Sequence, residues 1–187
     1  GLVKTRLAKD IGNYKAAEVY KIFVEEILKE TKCKDFSRVV FYDPPDKKQD
    51  ILDWIGGGIE LCHQVKGDLG VRLSNAFQSI FKNGAKRVVV IGSDSPTIDV
   101  RVIKKAFIEL KTKDCVIGPS KDGGYYLLGL SSYHKEIFQG ISWSTDKVFK
   151  ETLDRLNASG LSLSTLEEGF DIDTVEDLEL IKDRFPI

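Results

Sequence analysis

Val88-Val89-Val90-Ile91 is a run of four β-branched apolar residues, followed at once by Gly92-Ser93-Asp94-Ser95-Pro96. A strand that is apolar on both faces must be covered on both faces. That is the condition of a mainly parallel sheet between helical layers. Further short strands read at residues 38–42, 59–62, 115–117 and 125–130, with an edge strand at 161–164. Between them the apolar spacing turns helical. Ala16, Tyr20, Phe23, Val24, Ile27 and Leu28 share one face of a helix over 14–31, and Leu73, Ala76, Phe77, Ile80 and Phe81 one over 69–81. Helices are also predicted at 51–54, 99–111 behind an Asp99 N-cap, 145–157 and 174–184. Strands alternating with helices predict a three-layer α/β/α sandwich with a mostly parallel central sheet. With no internal repeat or linker, residues 1–187 read as one domain.

Composition narrows the function. Apolar residues at 42% and charged residues at 30% suit a folded domain rather than a disordered chain. The net charge is −1 and no Lys/Arg stripe occurs, which argues against a nucleic-acid partner but leaves small nucleotides open. Cys33, Cys62 and Cys115 are scattered, with neither disulfide nor zinc spacing. No stretch approaches the ~18 apolar residues of a membrane helix, and no signal peptide is read, so the expectation is a cytoplasmic protein with no membrane partner. His63 and His134 stand alone, and GxSxG and Walker A patterns are missing.

In such sheets ligands sit at the carboxyl ends of the strands. The loops after Ile91 and Ile117 and the loop at residues 1–10 should therefore share one crevice. Asp94, in a loop of small residues directly after the strand, is placed to hold a hard cation such as Mg2+ together with substrate phosphates; the plain alternative is a turn Asp bonding its own backbone. Asp171 and Asp173, in Phe170-Asp171-Ile172-Asp173-Thr174-Val175-Glu176-Asp177, either join such a site or belong to the start of a helix, where Asp173 or Thr174 caps. Lys4 and Arg6, in Gly1-Leu2-Val3-Lys4-Thr5-Arg6-Leu7, suit a polyphosphate or form a solvated basic loop. Gly67-Asp68-Leu69-Gly70 either approaches a base or ribose or is an N-cap turn. Asp122-Gly123-Gly124-Tyr125-Tyr126 reads as a pocket wall, with Asp122 toward metal or acceptor, or as a tight turn with core tyrosines. Trp143, before a Ser144 or Thr145 cap, lines an acceptor pocket or packs in the core.

Taken in order, these segments resemble a bacterial family whose members are called glycosyltransferase-like or nucleotide-diphospho-sugar-transferase-like. The likeness spans nearly the whole chain, and Asp122-Gly123-Gly124-Tyr125-Tyr126 and Trp143-Ser144 are its most specific elements. Wider relatives share the glycosyltransferase A-type fold. Lys4-Thr5-Arg6-Leu7-Ala8 resembles the opening of 2-phospholactate guanylyltransferases. Asp94-Ser95-Pro96 is similar to the Asp-x-Pro of molybdenum-cofactor guanylyltransferases. Asp171-Ile172-Asp173-Thr174 resembles the late motif of sugar-nucleotide cytidylyltransferases, in which an early and a late Asp share the metal.

The resemblance implies a transferase using a nucleoside triphosphate or nucleotide-sugar and a small acceptor, with Mg2+ or Mn2+ on Asp94 and Asp173. Lys4, Arg6, Asp94 and Asp122 would be catalytic. Lys4, Thr5, Arg6, Gly67, Asp68, Leu69, Gly70 and Ser93 would bind the nucleotide. Gly123, Gly124, Tyr125, Tyr126 and Trp143 would form the acceptor pocket. A non-catalytic nucleotide-binding module on the same fold is the rival reading. The chain departs from the family at Lys9 and Val175, where Pro is usual. It also contains no Met and opens at Gly1, whereas relatives begin with an apolar strand of ~6 residues in mid-sheet. Its loss would leave backbone groups unpaired at ~1–3 kcal/mol each, so the natural protein is expected to carry about ten further residues, Met included.

Overall fold

The computed structural model describes residues 3–169, 171–181, 183 and 185. Gly1 and Leu2 of the opening loop, Phe170, and Lys182 and Arg184 of the predicted last helix lie outside the described residues. In chain order the elements are α1 (Thr5–Ile11), α2 (Asn13–Glu30), β1 (Val39–Tyr42), α3 (Lys48–Ile55), β2 (Glu60–His63), α4 (Leu69–Lys82) and β3 (Val88–Ile91). They continue with α5 (Val100–Glu109), β4 (Cys115–Pro119), β5 (Tyr125–Leu130), α6 (Val148–Ala158), β6 (Leu163–Thr165) and α7 (Val175–Glu179). Short 3-10 turns cover Pro45–Lys47 and Lys135–Phe138.

The strands form a four-stranded sheet in the order β3-β5-β4-β6 and a parallel pair, β1-β2. In the larger sheet β3, β4 and β6 run the same way and β5 runs against them. The reversal has a simple cause. Only residues 120–124 separate β4 from β5, while a parallel crossover needs a dozen residues or more.

Alternation along each strand sorts the core into two faces. Cys115, Ile117, Leu128 and Leu130 point to one side, where Phe77 of α4, Phe138 and Leu156 of α6 cover them. Val116 and Leu127 point to the other, against Ile103 and Ala106 of α5 and Leu110, and Tyr126 joins them out of alternation where the β4–β5 register shifts at Gly118 and Pro119. Helices thus cover both faces, and the three-layer expectation is borne out. Each fully buried Leu or Ile contributes about 1.5–3 kcal/mol, so these central strands anchor the fold. A third cluster joins the two ends of the chain: Leu7, Ala16, Val19 and Phe23 pack against Ile172, Ile181 and Phe185.

Two local expectations are corrected. The segment carrying Thr5 and Arg6 is helical rather than a loop, because α1 starts directly after Lys4. The helix expected from 145 begins at Val148, since Ser144 has a positive φ of 63° and the Thr145 hydroxyl donates to the Ser142 carbonyl.

Candidate active site at the carboxyl end of β3

Beyond Ile91 the chain turns through Gly92, where a Cβ would stand 2.6 Å from Asp94 Oδ1. Glycine there lets the Asp94 side chain fold back over the turn. The Ile172 N–H donates to the Asp94 carbonyl at 3.1 Å, and the Ile172 side chain is wholly buried. That anchor brings its two neighbours, Asp171 and Asp173, to the Asp94 loop. Thr174 then caps α7 in a reciprocal box with Asp177, which accepts from the backbone N–H groups of Asp173 and Thr174.

Lys4 comes from the opposite end of the chain. Its backbone is left-handed, φ 48° and ψ 51°, a conformation costing roughly 1–2 kcal/mol for a residue with a Cβ. Its ammonium lies 3.1 Å from Asp173 Oδ1 and 3.6 Å from Asp94 Oδ2. The Lys4 side chain is 4% exposed, against 44% for Asp94 and 33% for Asp173. Arg6, 67% exposed, reaches the other Asp173 oxygen at 3.2 Å. The two cations and two carboxylates singled out from sequence therefore form one ionic cluster.

Asp171 extends it. Its carboxylate accepts from the hydroxyl of Ser95, which is 1% exposed. Burial first, then the neighbouring Asp94 and Asp122 charges, push the Asp171 carboxyl up to about 6, against the pull of Ser95 and Lys4. Asp122 is fixed by the Ser120 hydroxyl at 2.5 Å and the Gly124 N–H at 3.0 Å. Ser93 pairs with the Tyr20 hydroxyl at 2.9 Å, and burial raises the Tyr20 phenol above its usual range. Sequence reasoning missed the Ser95–Asp171 and Tyr20–Ser93 pairs. The available signal was that Ser93 and Ser95 alternate with Asp94, so that a hydroxyl stands on each side of the carboxylate.

The other predicted residues have mainly packing environments. Asp68 caps α4, accepting from the Val71 N–H at 2.8 Å. Gly70 lies directly against the Trp143 indole, with no room for a Cβ. The proposed base-side loop and Trp143 thus abut, beside a cleft of about 520 Å³ that Lys66, Gly70, Ser74 and Tyr133 line; Leu69 is exposed. Gly123 packs on the Asp146 carbonyl and accepts from the Phe149 N–H. The Tyr126 ring is held between Gly118 and Gly169, and its hydroxyl donates to the Glu167 carbonyl at 3.1 Å. Tyr125 packs into the α4–α6 face, where burial holds its phenol well above the usual range. For both tyrosines these surroundings correspond to the core alternative.

As to a metal, among the described residues no three His, Cys, Asp or Glu side chains gather to hold an ion unaided. Asp94 and Asp173 nonetheless turn hard oxygens onto one cation, the Lys4 ammonium. One or two carboxylates completed by substrate phosphates are the usual Mg2+ arrangement, and the donor set fits it.

A family model described as "Uncharacterized protein conserved in bacteria (DUF2064)" matches residues 27–145. The chain belongs to this family. The DUF2064 match takes in Asp94, Asp122, Tyr125 and Trp143 and leaves Lys4 and Asp173 outside it. Among solved structures, a candidate nucleotide-diphospho-sugar transferase from Desulfovibrio desulfuricans G20 superposes with a TM-score of 0.93 at 34% identity, over 98% of this chain and 81% of that one. A 4-diphosphocytidyl-2C-methyl-D-erythritol synthase from Anaerococcus prevotii DSM 20548 follows, with TM-score 0.60 and 15% identity over 88% and 86% of the two chains. A CMP:2-keto-3-deoxy-manno-octonic acid synthetase complexed with CTP gives 0.56 and 13% over 87% and 86%. At these last two identities the likeness is one of fold. No curated protein matches in sequence. The nucleotide-diphospho-sugar-transferase-like fold expected of this DUF2064 chain is thereby borne out. Among the described residues no helix is long and apolar enough to cross a membrane.

Proposed function

We propose that the protein is a nucleotidyltransferase: it binds a nucleoside triphosphate with Mg2+ or Mn2+ and passes the nucleotidyl group to a small acceptor. The carrying observation is the convergence of Lys4, Arg6, Asp94 and Asp173 at the carboxyl end of β3. In the reaction an acceptor oxygen attacks the α-phosphorus, the bond to the bridging β-phosphate oxygen breaks, and pyrophosphate leaves. Lys4 and Arg6 bind phosphate oxygens and offset the charge that builds up there. Asp94 and Asp173 hold the divalent ion, which when bound neutralises phosphate charge and polarises the phosphoryl oxygens. Ser93 and the Gly67–Gly70 loop serve the nucleoside. Asp122, fixed but exposed, faces the acceptor side with Trp143. Glycosyl transfer from a nucleotide-sugar is the second reading, favoured by the description of the D. desulfuricans relative.

The test is product analysis. The protein is mixed with each nucleoside triphosphate, Mg2+ or Mn2+, and a panel of phosphorylated and hydroxylated acceptors. Pyrophosphate formed in step with a nucleotidylated acceptor supports the proposal. Nucleoside diphosphate released from nucleotide-sugars would move the assignment to glycosyl transfer. Nucleotide binding insensitive to metal and without turnover would reduce the protein to a binding module.

A further inference from the structure

We infer that Lys4 is a built-in competitor for the metal position: its ammonium fills the space between Asp94 and Asp173 and must withdraw before a divalent ion enters. The inference rests on the metal reading above and goes beyond it. The cation nearest both carboxylates belongs to the chain itself, 3.1 Å from Asp173 Oδ1 and 3.6 Å from Asp94 Oδ2. It is also the more deeply enclosed partner, at 4% side-chain exposure against 44% and 33% for the acids. Two carboxylates facing one ammonium leave the group a single negative charge, which Arg6 on the far oxygen of Asp173 offsets. A divalent ion has no unpaired carboxylate to meet in this pair until Lys4 leaves.

Withdrawal has a natural destination. A polyphosphate brought in with the ion presents new anionic oxygens, and the displaced ammonium can pair with them. Metal and triphosphate then assist one another: the ion frees Lys4 for the phosphates, and the phosphates stabilise Lys4 away from the acids. Such coupling is reciprocal. Free metal alone should bind weakly, which keeps the carboxylates from being loaded without nucleotide.

The experiment uses Mn2+ alone as the probe, with affinity measured by titration calorimetry and by the Mn2+ paramagnetic resonance signal. Lys4→Met keeps the side-chain length and removes the charge. It should tighten Mn2+ binding at least tenfold over the unaltered protein, while Lys9→Met, on α1 and outside the cluster, should change it less than twofold. With a nucleoside triphosphate present the advantage of Lys4→Met should shrink, because that variant cannot return a charge to the phosphates. Equal or weaker Mn2+ binding by Lys4→Met, with binding still lost in Asp94→Asn, would overturn the competitor while leaving the metal reading intact. Mn2+ binding that ignores Asp94→Asn would overturn both. A second measurement needs no folded variant: acylation of the Lys4 amine in the unaltered protein, followed by peptide mass spectrometry. Saturating Mn2+ should raise its rate several-fold, and an unchanged rate contradicts the inference.

Discussion

Two regions of this molecule were equally prominent in the sequence and have different fates in the fold. The charged set, Lys4, Arg6, Asp94 and Asp173, gathers into one cluster at the end of β3. The glycine–aromatic set around β4 and β5 interlocks: Tyr126 with Gly118 and Gly169, and Trp143 with Gly70. Both sets pair residues distant in sequence. The difference lies in what remains open. The carboxylates of Asp94 and Asp173 keep 44% and 33% exposure while meeting a cation, so both stay accessible from outside. Tyr126 as a whole residue is 8% exposed and its hydroxyl already has a carbonyl partner, so it has little left to offer a ligand. A glycine next to an aromatic is evidence of close approach, and here what approaches is the protein itself.

That contrast predicts activity loss without stability loss in one region and the reverse in the other. The largest effect should come from Asp94→Asn, which should lower the proposed nucleotidyl transfer by roughly 10²- to 10³-fold, the size typical for removing one charge-stabilising group. Its thermal midpoint should stay within about 3 °C of the unaltered protein, by scanning calorimetry. Next, Gly118→Ala drives a methyl into the Tyr126 ring. Overpacking of this kind costs about 1–3 kcal/mol, readable in urea unfolding, while turnover per folded molecule should be unchanged. A Gly118→Ala protein of full stability would break the comparison.

Smaller changes sharpen it. Tyr126→Phe removes the bond to the Glu167 carbonyl and should cost about 0.5–1.5 kcal/mol, with KM for nucleotide and acceptor unaltered. A tenfold rise in KM for the acceptor would restore Tyr126 to a pocket. Last is Asp171→Asn. The Asp171 carboxyl stands at about 6, above its ordinary 3.8, chiefly through burial. A raised acid opposes folding when ionised, so its penalty is fully present above about pH 6 and fades as the pH falls toward 4. Asp171→Asn should therefore be the more stable protein at pH 8, with the gap closing across that window in pH-dependent urea unfolding.

The layered fold was legible because its signals are local. Val88-Val89-Val90-Ile91 and the apolar run of β5 need only composition and length to read as buried strands. The direction of β5 was missed because apolar runs carry no polarity; the five-residue link over 120–124 held that information. α1 escaped because seven residues are too few to show a helical period, and it follows directly on Lys4, a residue with left-handed backbone. Within the site, Asp94 and Asp173 could be named from their places before and after helices and strands. Their meeting on Lys4 could not, since it depends on Ile172 anchoring to the Asp94 carbonyl and on the third cluster closing over Phe23 and Phe185. Asp171 was read as one of two alternatives; the alternation of Ser93 and Ser95 with Asp94 offered hydroxyls beside that loop, but pairing Ser95 with Asp171 depends on a contact across 76 residues.

Lys4 and Asp173 are 169 residues apart in the chain. At ribosomal rates of about 5–20 residues per second, roughly 10–30 s pass between the synthesis of one and of the other. During that interval the nascent polypeptide has completed β3, with Asp94 at its tip, while the late carboxylates do not yet exist. The charged cluster therefore cannot assemble until Asp173 has been made. The cluster closes only after β3, and the Asp94 loop that follows it, have had time to fold.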